Sequence, residues 1–232
     1  MEQLDQVTSI LALTMGVAWA SGINLYAAIL MLGMMGVTGN VDLPPGLEIL
    51  QDPMVLFAAG TMYVVEFFAD KIPGVDSTWD VLHTFVRIPA GAMLAAGAVG
   101  DVTPALSLAA GLMGGGLAAS THVTKAGSRA LINTSPEPFS NWTASIAEDV
   151  AVIGGLWAAL NHPTLFVAFM IVFILMMIWL LPKLWRGIKT VFRKLRSFFG
   201  GKDEPVSADP AAQKTTAQPI QSEPNIDAPD KP

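Results

Sequence analysis

Residues 6–41, QVTSILALTMGVAWASGINLYAAILMLGMMGVTGNV, form a run of 36 residues without a single Asp, Glu, Lys or Arg. As one straight helix the run would extend about 54 Å, against about 30 Å of bilayer hydrocarbon. It is therefore expected to be a broken membrane helix. The interruption is expected at Ala20-Ser21-Gly22-Ile23-Asn24, where small and polar residues leave backbone groups free. Such groups are tolerated at membrane depth only when they face protein or a water-filled cavity. The alternative, a signal peptide cleaved after Ala18-Trp19-Ala20, fits less well, because the amino end carries Glu2 and Asp5 and has no basic region.

The rest of the chain agrees with a membrane setting. Of its 232 residues 52% are hydrophobic and 14% charged, with a mean hydropathy of +0.51. Soluble proteins carry about 25% charged residues. There is no cysteine, which excludes disulfides, thiolate catalysis and Cys-type zinc sites. The net charge of -6 averages unlike regions: residues 1–182 hold thirteen acids against Lys71, Arg87, Lys125 and Arg129, whereas residues 183–202 hold seven basic residues and no acid. That basic block is too confined to argue for a nucleic-acid partner.

About six transmembrane helices are expected. After the first run come 54–70, 80–100 with Pro89 as a kink, 104–132, 142–161 and 164–181, the last two divided by Asn161-His162-Pro163. Pro73 and Gly74 mark one turn, Pro136 and Pro138 another. Beyond the last span, apolar residues from Leu184 to Phe199 recur at helical spacing with Arg186, Lys189, Arg193, Lys194 and Arg196 between them. This pattern predicts an interfacial amphipathic helix over 183–202 in contact with anionic lipid. Residues 203–232, rich in Pro, Ala, Gln, Ser and Asp and without an aromatic side chain, are expected to be a disordered tail. Basic residues are retained on the cytoplasmic side. With six spans, both termini, Lys71, Lys125, Arg129 and the basic helix then lie inside.

Ionisable residues within spans are costly and point to a functional pathway in which they are paired. Glu66 and Asp70 share a helix face at i, i+4, as do Asp80, His83 and Arg87, and His122, Lys125 and Arg129. Glu148 and Asp149 follow the second turn. The order acid, base, base, acid suits cross-pairing between two helical hairpins. Those hairpins are candidate repeats, since Ser77-Thr78-Trp79 resembles Ser140-Asn141-Trp142 and Gly91 and Gly154 follow each Trp by twelve residues. A parallel repeat of this kind places a site between the hairpins. Gly111 and Gly115 form a GxxxG pair, which favours close packing inside the chain; homodimerisation is the functional alternative. Trp79, Trp142, Trp179 and Trp185 fall near span ends, as interfacial anchors do.

Enzyme templates are missing: there is no HExxH, GxSxG, Walker or dinucleotide sequence, and no cofactor is expected. Glu66, His83 and His122 are candidate metal ligands, but their separation matches no recognised spacing.

Two stretches, Ala20-Ser21-Gly22-Ile23-Asn24-Leu25-Tyr26-Ala27 and the longer one from Glu66 through Ile72-Pro73-Gly74-Val75-Asp76-Ser77-Thr78-Trp79 to Asp80, give the chain a likeness to a known family. Over about residues 8–180 it resembles the bacterial membrane family called domain of unknown function 4126. The resemblance implies a multi-pass inner-membrane protein and supplies no substrate.

The leading expectation is a transporter or channel for a small polar solute or ion. Glu66 and Asp70 would supply acidic coordination or proton transfer, and His83 a titratable partner. Arg87, Lys125 and Arg129 would balance charge, and the break at Ser21, Gly22 and Asn24 would offer backbone groups. The alternative is a non-transporting scaffold or lipid-binding protein acting through its basic helix and tail. A membrane enzyme acting on lipid head groups comes third, since no nucleophile or metal constellation stands out.

Overall fold

The computed structural model describes residues 2–72, 74–133 and 138–198. The expected tail at 203–232 and the side chains of Arg193, Lys194 and Arg196 lie outside the described residues. Among the described residues there are only helices: α1 (Glu2–Val37), a short 3-10 helix (Pro45–Gln51), α2 (Pro53–Ala69), α3 (Val75–Ala98), α4 (Pro104–Ile132), α5 (Pro138–Asn161) and α6 (Pro163–Phe198). Five of them start on proline, whose fixed φ and missing N–H suit the first helical position. Asp52 and Thr103 cap α2 and α4, each accepting a backbone N–H of the first turn. Gly74 takes up a positive φ of 87° in the tight turn that leads into α3.

Several boundaries differ from expectation. The helices α3 and α5 begin at Val75 and Pro138, both earlier than expected, so Trp79 lies inside α3 rather than in the turn before it. The helix α3 continues through Pro89, and α6 continues through Pro182, which joins the last span to the basic segment as one helix. The first helix is broken as expected, at Asn24.

Four helices, α1, α3, α5 (Phe139–Asn161) and the Pro163–Lys183 part of α6, are long and apolar enough to cross a membrane. The 3-10 helix and α2, bent by 69°, add a fifth span if they count as one. The helix α4 is present over 29 residues but falls outside this group, its apolar content diluted by glycine, serine and threonine. The all-α architecture and the apolar helices are those of a membrane protein.

The helix α1 runs through the middle and packs against α2, α3, α4 and α5. Its buried residues cover all faces from Ala12 to Gly33, as expected for a helix surrounded by others. The inward faces of α3 and α4, which pack on each other most extensively, are each half apolar and half charged. On α3 the buried stripe reads Asp76, Asp80, His83 and Arg87, then Gly91, Leu94, Ala95 and Ala98. On α4 it reads Ala110, Gly114, Gly115 and Ala118, then Thr121, His122, Lys125 and Arg129. Large apolar side chains such as Phe57, Phe85, Met93, Met113 and Val172 are exposed. Charge inside and hydrocarbon outside inverts the soluble pattern.

The small residues let three helices meet. A Cβ on Gly91 would collide with Ser21 Oγ of α1 and Ala118 Cβ of α4, and one on Gly22 would lie 2.5 Å from the Ala118 carbonyl oxygen. Gly111 and Gly115 face Ala96 and Ala92 of α3, so the GxxxG pair serves close packing within the chain. Ala18, Trp19 and Ala20 are buried in the same core, Trp19 meeting Phe166, Phe169 and Phe173 of α6 edge-on. Overpacking a tight core typically costs about 1–3 kcal/mol. Gly91→Val and Gly22→Val should each lower the unfolding free energy of the detergent-purified protein by an amount in that range, seen as a lower unfolding temperature, whereas Gly116→Ala, with open space around it, should not.

Candidate functional site

The break in α1 starts the site. Asn24 leaves the helical region, with φ -144° and ψ 97°. Its Oδ1 accepts the Ala27 N–H at 3.0 Å and so caps the second half of α1. That N–H would otherwise close the helical bond to the Ile23 carbonyl. The carbonyl instead accepts a hydrogen bond from Lys125 Nζ of α4 at 3.1 Å. Asn24 Nδ2 donates to Asp149 Oδ1 of α5 at 2.9 Å, and Tyr63 Oη of α2 donates to Asp149 Oδ2 at 3.2 Å.

Lys125 is also the hub of an ion-pair array. Its Nζ lies 2.9 Å from Asp70 Oδ2, 3.4 Å from both Glu66 Oε1 and Glu148 Oε2, and 3.7 Å from Asp80 Oδ1. Arg87 donates through Nη2 to Glu66 Oε1 and through Nη1 to Asp80 Oδ1 at 3.0 Å. Arg129 grips Glu148 with two parallel bonds of 3.1 and 2.8 Å and lies 3.7 Å from Asp70. Its Nη1 also donates to the Asp70 and Asn141 carbonyls, tying the end of α2 to the start of α5. Bidentate pairing of this kind exploits the planar fork of the guanidinium. The side chains of Glu66, Asp80, Arg87 and Arg129 are 0% exposed, and Glu148 is the most open of the set at 18%.

The histidines extend the network. Arg87 Nη1 donates to His122 Nδ1 at 3.2 Å, so His122 carries its proton on Nε2 and donates it to Thr84 Oγ1 at 2.8 Å. Thr84 in turn donates to the Asp80 carbonyl. His83 gives its Nδ1 proton to the Trp79 carbonyl at 3.0 Å, bonds through Nε2 with Tyr26 Oη at 3.1 Å, and stacks on the Trp79 ring at 4.2 Å. Nearer the two turns, Asn133 donates to both Asp76 oxygens and accepts from Asn141. The turns before α3 and α5 are thus on the same side of the molecule.

The helices bring Glu66, Asp70, Asp80, Arg87, Lys125, Arg129 and Glu148 into one array, with His83, His122, Asn24 and Asp149 around it. The Ser21 side chain is not in it, since Ser21 Oγ donates to its own helix at Ala18. The break offers backbone groups at Gly22, which meets His122, and at Ile23, which accepts from Lys125. Arg186 and Lys189 are exposed on α6, Lys189 lying 5.2 Å over the Trp185 ring. Among the described residues no three His, Asp or Glu side chains are placed to hold a metal ion. The nitrogens of His83 and His122 are already engaged by Tyr26, Trp79, Arg87 and Thr84. Residues that spacing does not reveal are Tyr26, Tyr63, Thr84, Asn133 and Asn141. The one available signal was scarcity, since the chain has only two tyrosines and both hydroxyls bond to this network.

Fold and site together define a helical membrane protein with a closed, buried ion-pair array at a helix break. Residues 11–183 match the family described as Domain of unknown function (DUF4126), and the chain belongs to that family. No curated protein and no solved structure matches the chain.

Removing one partner of a buried charge pair costs about 3–5 kcal/mol, because the other charge stays desolvated and unpaired. Lys125→Met would strip Asp70, Glu148 and the Ile23 carbonyl of a shared donor. It should lower unfolding stability by that order, measured by thermal unfolding in detergent, and by far more than Lys189→Met, whose ammonium is exposed.

Proposed function

We propose that this protein is a transporter or channel for a small polar solute or ion, located in the bacterial inner membrane with its C-terminus in the cytoplasm. One observation carries the proposal: three cationic and four carboxylate side chains from α2, α3, α4 and α5 converge on a broken α1, and one of them holds the backbone carbonyl released by the break. Charges are retained inside a membrane protein at high cost, chiefly where they serve a pathway. Discontinuous helices offer backbone groups to solutes at such sites. Asp149, held by Asn24 and Tyr63, lies beside a groove of about 340 Å³ lined by Ala27, Leu30, Met31, Met34, Tyr63 and Ile153. Lys71, Lys125 and Arg129 cluster at the end where the two turns meet, which supports a cytoplasmic placement of that end.

A scaffold or lipid-binding role has its own support. Lys183 Nζ sits 3.1 Å over the Trp179 ring and Lys189 lies over Trp185, an alternation of aromatic and basic side chains suited to an anionic membrane surface. A homodimer is compatible with either role.

Purified protein in proteoliposomes should pass one member of a panel of inorganic ions, organic acids and amines faster than protein-free vesicles. Glu66→Gln should reduce that flux at least tenfold, about 1.4 kcal/mol of barrier. A Glu66→Gln protein that folds and matches wild type in every flux, while deletion of residues 184–232 abolishes binding to anionic vesicles, would leave the scaffold role.

A further inference from the structure

We infer that the buried array binds one monovalent cation, a proton or an alkali or ammonium ion, per protomer. The inference rests on the reading of the array as a transport site and names the charge it takes up. It starts from electroneutrality. The groups in direct ionic contact are Arg87, Lys125 and Arg129 against Glu66, Asp70, Asp80 and Glu148, which leaves one negative charge uncompensated. A net charge withdrawn from water is expensive unless something balances it.

The neighbouring titratable groups do not supply the missing charge. From α4, His122 accepts a hydrogen bond from Arg87 on Nδ1 and is therefore neutral. From α3, His83 has only neutral partners, the Trp79 carbonyl on Nδ1 and the Tyr26 hydroxyl of α1 on Nε2. From α5 and α3, Asp149 and Asp76 are held by neutral donors, Asn24 and Tyr63 for the first and Asn133 with two backbone N–H groups for the second. Lys71, at the end of α2, places its ammonium on the Phe67 carbonyl and ring and acts on Asp70 and Asp149 only from beyond ion-pair contact.

A second observation is independent of the charge count. Glu66 Oε2, Asp80 Oδ2 and Asp70 Oδ1 are buried and have no hydrogen-bond partner, while the other oxygen of each carboxylate is committed to Arg87 or Lys125. Buried polar atoms are ordinarily satisfied, and three orphaned acceptors on one array call for a donor or a cation. Among the described residues no three carboxylates or histidines converge as a divalent metal would need. A single positive charge, carried by a proton on one carboxylate or by a monovalent ion beside them, meets both the charge deficit and the free oxygens.

The test uses the full chain in nanodiscs. Unfolding temperature is measured at constant ionic strength in sodium, potassium or ammonium chloride, with N-methylglucamine chloride as the reference, from pH 5 to 8. An alkali or ammonium site raises the midpoint by on the order of 2–4 °C over the reference at saturation. A proton site gives no ion preference but a midpoint that falls as pH rises. In either case Asp80→Asn, which balances the array at three against three, should remove the dependence. Glu148→Gln, at the more open rim, does the same if Asp80→Asn fails to fold. A wild-type midpoint indifferent to both ion and pH overturns the inference, as does a dependence that survives both substitutions. Flux in proteoliposomes separates the two proposals. A cation-dependent midpoint without any flux removes transport and keeps the site, whereas flux with no cation or pH dependence keeps transport and removes the site.

Discussion

The ammonium group of Lys125 lies within 3.7 Å of four carboxylates and 3.1 Å from the Ile23 carbonyl at the break in α1. Desolvating such a group is worth several kcal/mol against folding, and only dense pairing offsets it. That requirement fixes the relative positions of five helices. The acids come from α2, α3 and α5, the cations from α3 and α4, and the carbonyl from α1, so none of these helices can slide or rotate without stripping a charge. The break at Asn24 is part of the same solution, because its side chain both caps the second half of α1 and bonds to Asp149.

Packing along the bundle then divides in two. Toward the end opposite the turns, α3 and α4 present glycine and alanine, and backbone meets backbone through Gly22, Gly91 and Gly114. Toward the turns the same helix faces carry the charged side chains. Dispersion holds the first half and electrostatics the second. Small residues bring the helices close enough for the charges to touch, and the charges select which helices approach. Large apolar side chains on the outside need hydrocarbon around them, so the bilayer completes the fold.

Much of this was legible in the sequence. The uncharged run of 36 residues around Ala20-Ser21-Gly22-Ile23-Asn24 indicated a break, since a helix of that length overshoots a bilayer. The i, i+3 and i+4 spacing of Glu66, Asp70, Asp80, Arg87, Lys125 and Arg129 indicated shared faces. The acid, base, base, acid order indicated cross-pairing, which the structure shows between the hairpins at Asp70, in contact with both Lys125 and Arg129. What spacing did not reveal was partnership between distant uncharged groups. Tyr26 meets His83 across 57 residues and Asn133 meets Asp76 across 57, contacts set by how α1 and α4 cross α3 and by no local pattern. Asn24, rather than Ser21 or Gly22, is the breaking residue because its amide reaches both its own backbone and Asp149. Helix starts at Val75 and Pro138 were also hidden, since Pro73-Gly74 and Pro136 to Pro138 read as turn.

A double-mutant cycle between Lys125 and Asp70, whose charged atoms are 2.9 Å apart, tests the central claim that mutual charge compensation holds the bundle together. Unfolding temperatures of wild type, Lys125→Met, Asp70→Asn and the double variant would be compared in nanodiscs. The account predicts strong coupling, with Lys125→Met/Asp70→Asn unfolding at a higher temperature than Lys125→Met alone, because the second change removes a carboxylate that the first left unpaired. Losses that simply add, with the double variant the least stable of the four, would contradict it.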